Sequence, residues 1–307
     1  MESLDITVKN GSNILEGTLY LPKKSVAHLG TIVVAHGAQM GERNHWLYKH
    51  LVKTMLPTGF SVLISDRRGS GKSTGSFDTA SFQDLAEDLL VFINELSSQS
   101  LSPNNRIGLW GFSQGGWIAP IVAKKYFINF IILVSSTPFP VADQMEYALI
   151  EQLKFSGFSS GDIKDAVMIN GLINDYYTGA VKKNDLISIL KKFSKKKWYS
   201  VCSLPSVEEI PEAPEKTKWY QEIIFKEDYV KSLIQPILLI NGENDPWIDS
   251  KGSLNYWEKN NPNVTVQLIQ NANHYMLSAT QLEKYSITGE INHQYTDLLK
   301  NWTGLIQ

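Results

Sequence analysis

Apolar residues along this chain fall into two kinds of pattern. Near the N-terminus, "LDITVKN" and "NILEGTLYLP" alternate apolar and polar positions on either side of Gly11 and Ser12, which predicts a two-stranded hairpin. Further on, "GTIVVAHG", "SVLISD", "RIGLWGF", "FIILVSS" and "PILLING" are short, nearly continuous apolar runs, as expected of strands covered on both faces of a parallel sheet. A further run, "VTVQLIQ", starts at Val264. Helical patterns alternate with these runs: "HWLYKHLVKTML", "SFQDLAEDLLVFINEL", "QGGWIAPIVAKKY", "KGSLNYWEKN" and "INHQYTDLLKNWTGLI". In the second of them Phe82, Leu85, Leu89, Leu90 and Ile93 recur at helical spacing and predict a face that covers the sheet. The fold class this implies is α/β, a mostly parallel, doubly wound sheet with helices on both faces.

The alternation breaks after "FIILVSS". Residues 138–226 carry the helical patterns "VADQMEYALIEQLKF" and "KDAVMINGLINDYY", then the Lys-rich "KKFSKKKWYS" and the Pro-rich "SLPSVEEIPEAPEK", with no buried strand among them. Basic and acidic residues balance there, so the lysine run reads as a solvated helix end. A helical block that interrupts an α/β sheet in this way looks like an inserted cap or lid. The expected organisation is a core of residues 1–137 and 227–307 with an α-helical cap insertion at 138–226. Apolar residues of the insertion, such as Met145, Leu149, Leu153, Tyr177, Trp198 and Trp219, are expected mostly to form its own small core. Some are expected to line a ligand pocket, because α/β sheets bind ligands at their C-terminal strand ends.

Composition narrows the picture only slightly. With 307 residues, 43% hydrophobic and 20% charged, the chain is long enough to bury a full core and has the make-up of a globular protein. A formal net charge of −2 leaves no basic footprint for nucleic acid. The single cysteine, Cys202, cannot form an internal disulfide, which fits a reducing compartment. No leader peptide or membrane-length apolar run is visible, so a cytoplasmic protein with no membrane span is expected.

"DRRGSGKSTG", residues 66–75, contains "GKST" and invites a nucleotide-binding reading. A phosphate loop needs a glycine where this chain has Asp66, an anion facing a site built for anions, and a helix opening at the Lys-Ser step where this chain continues as a Ser/Thr/Gly turn. The stretch therefore predicts no nucleotide site.

Candidate chemistry lies at the ends of the apolar runs. "LWGFSQGGW" holds Ser113 in the pattern Gly-x-Ser-x-Gly between a predicted strand and a predicted helix. That is the context of a nucleophile elbow, where Gly111 and Gly115 give room for a sharp turn. A serine hydroxyl needs a base, and the base an orienting group. His274 follows the last strand, in a loop at a strand end. His28, His45, His50 and His293 fall in loops or helices without that setting, and His36 reads as a scaffold residue of the loop after "TIVVAHG". For the acid, "INGENDPWID" offers Glu243, Asp245 and Asp249. Asp245 is favoured by its place in the loop after the strand, with Glu243 weaker and Asp249 read as the cap of the next helix. The two oxyanion donors are expected to be the backbone N–H groups of Gln114, just after the nucleophile, and of Ala38, in the loop after "TIVVAHG". His45 and His50 lie off one helical face without clustered carboxylates, so no metal is expected, and no organic cofactor.

With its "HGA" loop, "DRRGSGKSTG" turn and "LWGFSQGGW" elbow, the chain resembles α/β-hydrolases of the serine-esterase type, the capped subgroup in particular. The resemblance spans roughly residues 13–137 and 227–307, while the insertion matches only in placement and helical character. It implies a glycine-rich turn at 66–75 shaping the rim of the pocket, and acyl transfer to water through a Ser113–His274–Asp245 triad. The implied partner is a small-molecule ester. The alternatives are a serine peptidase or aminopeptidase, for which Glu146, Glu151 or Asp162 could hold a peptide terminus, an acyl-thioesterase, or a non-catalytic binding protein.

Overall fold

The structure, a computed structural model, describes residues 2–306. Eight strands form one sheet: β1 (Glu2–Asn10), β2 (Asn13–Leu21), β3 (Gly30–Ala35), β4 (Phe60–Ser65), β5 (Ile107–Phe112), β6 (Phe130–Val134), β7 (Ile237–Gly242) and β8 (Val264–Ile269). Their order is β1-β2-β4-β3-β5-β6-β7-β8. The hairpin is antiparallel, with Asn10 opposite Asn13, and β2 runs antiparallel to β4. All later pairings are parallel. Strands β3 to β7 are buried along their whole length, which is why they read as continuous apolar runs, whereas β8 lies at the sheet edge and alternates.

Nine helices accompany the sheet: α1 (Trp46–Met55), α2 (Phe82–Ser98), α3 (Gly115–Lys125), α4 (Val141–Phe155), α5 (Ser160–Tyr177), α6 (Lys183–Phe193), α7 (Lys218–Ile223), α8 (Ser250–Asn260) and α9 (His293–Leu305), counted among the described residues. Helix α2 starts at a capping box, Ser81 with Asp84, and buries Phe82, Leu85, Leu89 and Ile93 as the spacing predicts. Leu90 is only half-buried, and Ala86, Phe92 and Leu96 complete the buried stripe instead. Helices α1 and α9 cover one face of the sheet, packing Leu47, Leu51, Met55, Leu299 and Trp302 onto Val34, Phe60, Trp110 and Phe130. Gly111 faces the other side, toward Ala119 of α3, and α2 packs alongside α3.

The chain divides into two compact units, residues 2–138, 228–245 and 250–306 in one, Phe139–Glu227 and Pro246–Asp249 in the other. The smaller unit contains α4 to α7, with no strand among the described residues. It has its own core, built by Leu149, Leu153, Ile169, Tyr176, Leu190 and Trp198. The lysines of "KKFSKKKW" are exposed, but Trp198 at its end is only 1% exposed and anchors the run. Pro246–Asp249 joins this unit from beyond β7, and no feature of the sequence announces it. Among the described residues, no helix is long and apolar enough to cross a membrane.

Candidate active site

Strand β5 ends at Phe112 and α3 begins at Gly115, so the chain reverses within two residues. Ser113, at the apex, adopts φ 51°, a left-handed conformation that costs a non-glycine residue on the order of 1 kcal/mol or more. The surroundings hold it there. Ser113 N–H donates to Val134 O at 2.9 Å, and Gly116 N–H donates to Ser113 O at 2.8 Å. The flanking glycines are required by close approach. A Cβ on Gly111 would lie 2.6 Å from Gly115 O, and one on Gly115 would lie 2.2 Å from Ala35 O. The serine is half-buried, neither sealed in the core nor fully in solvent.

After β7 the chain turns through Asn244, whose N–H donates to Ala272 O at 2.8 Å, and reaches Asp245. After β8 it reaches His274. Asp245 Oδ2 lies 2.7 Å from His274 Nδ1, and the two side chains are 0% and 9% exposed. A carboxylate can only accept, so Nδ1 carries the proton of this bond and, in the neutral ring, Nε2 is left as a base. Ser135 Oγ donates to His274 O at 2.6 Å and ties the histidine loop to the end of β6. The His274 ring packs edge-on against Phe112, centroids 5.1 Å apart, next to Ser113 in the chain.

Glu243 and Asp249 do not share this arrangement. Glu243 Oε2 accepts from Asn271 N–H at 3.1 Å, bracing the turn after β8, and Asp249 belongs to the smaller unit. The other histidines have structural neighbours. His45 caps α1 through Leu47 N–H, His28 Nε2 is 2.7 Å from Ser61 Oγ, His50 Nε2 contacts Thr54 and Thr296, and His293 is exposed.

Gln114 is buried at the N-terminus of α3, and Ala38 is half-buried in the loop after β3. Arg67 holds that loop: its Nη1 donates to Gly37 O at 3.2 Å and to Ala38 O at 2.8 Å, while its guanidinium lies 3.2 Å from the centroid of Phe77. His36 supports it from below, with Nε2 donating to Ser65 O at 2.8 Å and Nδ1 2.8 Å from Tyr48 Oη. Burial, with the nearby Arg67 charge adding to it, lowers the His36 pKa to about 4, so the ring is neutral.

The "DRRGSGKSTG" turn binds its own anion. The Asp66 carboxylate accepts from Arg43 N–H at 3.0 Å, Arg43 Nε at 3.1 Å and Lys72 N–H at 3.0 Å. Gly71, at φ 52°, approaches it so closely that a Cβ would lie 2.4 Å from its carboxyl carbon. Arg68 meanwhile pairs with Asp88 of α2 at 2.6 Å. Sequence reasoning placed Arg67 only at a pocket rim and missed Ser135 and Tyr48. Ser135 takes a left-handed φ of 50° directly after β6, a feature with no counterpart in the sequence pattern.

A family model described as serine aminopeptidase, S33, matches residues 27–174. An Escherichia coli protein described as an uncharacterized 31.7 kDa protein in the traX-finO intergenic region is 27% identical over 180 residues, which cover 59% of this chain and 52% of that protein. The match thus spans about half the length of that relative. Among solved structures, Est1E from Butyrivibrio proteoclasticus with ferulic acid bound has a TM-score of 0.62 at 16% identity, covering 98% of both chains. Proline iminopeptidase from Mycobacterium smegmatis has a TM-score of 0.62 at 15% identity, covering 99% of this chain and 98% of that one. At such identities the likeness is one of fold.

Proposed function

We propose that this chain, a hydrolase of the α/β-hydrolase superfamily, cleaves carboxylic esters through an acyl-enzyme on Ser113. The observation that carries the reading is the buried 2.7 Å pair of Asp245 and His274, in the same compact unit as a serine strained into an elbow at the end of β5. In this reading His274 Nε2 takes the proton of Ser113 Oγ as that oxygen attacks the ester carbonyl. The Asp245 carboxylate keeps the proton on Nδ1 and stabilises the imidazolium that forms. The N–H groups of Gln114 and Ala38 would receive the developing oxyanion, the first with help from the dipole of α3. His274 then protonates the leaving alcohol, and water repeats the sequence on the acyl-enzyme. Serine rather than aspartate at the elbow favours acyl transfer, and none of these steps needs a cofactor. The inserted helical unit is proposed as a cap that selects the acyl group.

Cleavage of aminoacyl amides is a second reading, favoured by the family model that matches residues 27–174. A panel of p-nitrophenyl acyl esters, acyl thioesters and aminoacyl p-nitroanilides separates them. The ester reading expects kcat/KM to be highest on short acyl esters and abolished by Ser113→Ala. Turnover confined to the anilides would replace it with the peptidase reading.

A further inference from the structure

The smaller unit lines an open cavity of about 660 Å³, inside the range of small-molecule sites. Two helices line it at helical spacing, Met145, Ala148 and Leu149 from α4 and Asn170, Ile173 and Tyr177 from α5. Three aromatic side chains, Tyr177, Trp219 and Trp247, also face it. Trp219 is tied into the unit by its ring and Trp247 by its backbone. Trp219 Nε1 donates to Asn174 Oδ1 at 3.0 Å, and the Trp247 backbone oxygen accepts from Gln144 Nε2 at 2.7 Å. Flat apolar walls fixed in advance suit a planar apolar ligand, because little side-chain freedom is lost on binding.

The polar inventory is more selective. Among the described residues no Lys, Arg or His lines the cavity, so nothing there would compensate an anion. Its one carboxylate, Glu209, is already engaged: Oε2 accepts from Ser206 N–H at 2.7 Å in a capping box, which holds the carboxyl below its ordinary pKa. Asn170 differs. It is 8% exposed, it faces the cavity, and its Nδ2 is buried with no hydrogen-bond partner among the described residues. A buried amide donor left unsatisfied is unfavourable, and one that faces a cavity can be satisfied by an acceptor on a ligand. Ser203, a non-glycine residue at φ 50°, also lines the cavity, the kind of strained position found at ligand clamps.

We infer that this cavity is a binding site for a neutral molecule with a flat aromatic body and an acceptor oxygen, such as an aryl ketone, ester or amide, whose oxygen accepts from Asn170 Nδ2. The site lies within the helical unit and is independent of the acyl-enzyme reading, since binding there requires no turnover.

The test uses the full chain and three probes of nearly one shape, in ligand-observed NMR titrations: acetophenone, α-methylstyrene, which replaces the carbonyl oxygen by CH₂, and benzoate, which adds a charge. Asn170→Leu keeps the side-chain volume and removes the donor. The ratio of the acetophenone to the α-methylstyrene dissociation constant should rise about fivefold from wild type to Asn170→Leu, the worth of one neutral hydrogen bond. Tyr177→Ala should weaken both neutral probes together and leave the ratio unchanged. An unchanged ratio in a folded Asn170→Leu overturns the proposal. So does benzoate binding to the wild type within about twofold of acetophenone, an outcome that does not depend on any variant folding.

Discussion

A neutral imidazole whose Nδ1–H is held by a buried carboxylate has one tautomer and one free nitrogen, and its value as a base depends on both. In the proposed triad, Ser113→Ala or His274→Ala alone should lower kcat by about 10⁴-fold or more, and the double variant should lose little beyond either. Asp245→Asn leaves the ring in place but permits the wrong tautomer, so it should cost somewhat less; Glu243→Gln should be nearly neutral, because its carboxylate braces Asn271 instead. Steady-state kinetics on an activated ester decide this, and a crippled Glu243→Gln beside a healthy Asp245→Asn would reassign the acid. Arg67 belongs to the same scale. Its Nη1 donates to two carbonyls of the loop that presents Ala38 while its flat guanidinium stacks on the Phe77 ring, and a lysine cannot reproduce that stacked, planar hold. Arg67→Lys should lower kcat about tenfold with KM little changed, since displacing the proposed oxyanion donor would be felt in the transition state. A raised KM at constant kcat would mean that Arg67 meets substrate rather than positioning the loop.

Elements meet the chemistry through a few junctions. His36 joins β3 to α1 through Tyr48 and to β4 through Ser65 O. Its folded pKa of about 4 lies below the unfolded value near 6.5, so between those values the unfolded state binds more protons. Its contribution to stability is complete above pH 6.5 and is lost as pH falls toward 4, by up to about 3 kcal/mol. Denaturant midpoints for wild type and His36→Gln should therefore converge over that window, and parallel profiles would show that His36 is not buried neutral. At the elbow, Gly115→Ala forces a Cβ against the backbone carbonyl of Ala35 and should destabilise by about 1–3 kcal/mol with a larger loss of kcat. Much of this was readable in advance. Continuous apolar runs mark strands that are buried on both faces, and the Gly-x-Ser-x-Gly spacing needs glycines where side chains would collide. Arg67, Ser135 and Tyr48 were not readable as supports, because each acts through backbone carbonyls or a ring nitrogen far away in sequence, and such contacts leave no periodic trace.

At the scale of the molecule, the chain carries a sheet-based unit with the candidate triad and a helical unit with its own core and cavity. The break after "FIILVSS" marks where the helical patterns begin, but the return of Pro246–Asp249 to that unit is a tertiary event invisible to local pattern. Likewise, of the aromatic residues of the insertion named from the sequence, Trp198 proves to be core, while Tyr177 and Trp219 line the cavity. Helical spacing alone cannot separate the two fates. The central claim, that Ser113 is a nucleophile activated by His274 and Asp245, is tested most directly by labelling with a fluorophosphonate probe and locating the adduct by mass spectrometry. The account predicts a single adduct on Ser113 in the wild type, none in Ser113→Ala, and strongly slowed labelling in His274→Ala. An adduct on another residue, or undiminished labelling of Ser113→Ala, would contradict it.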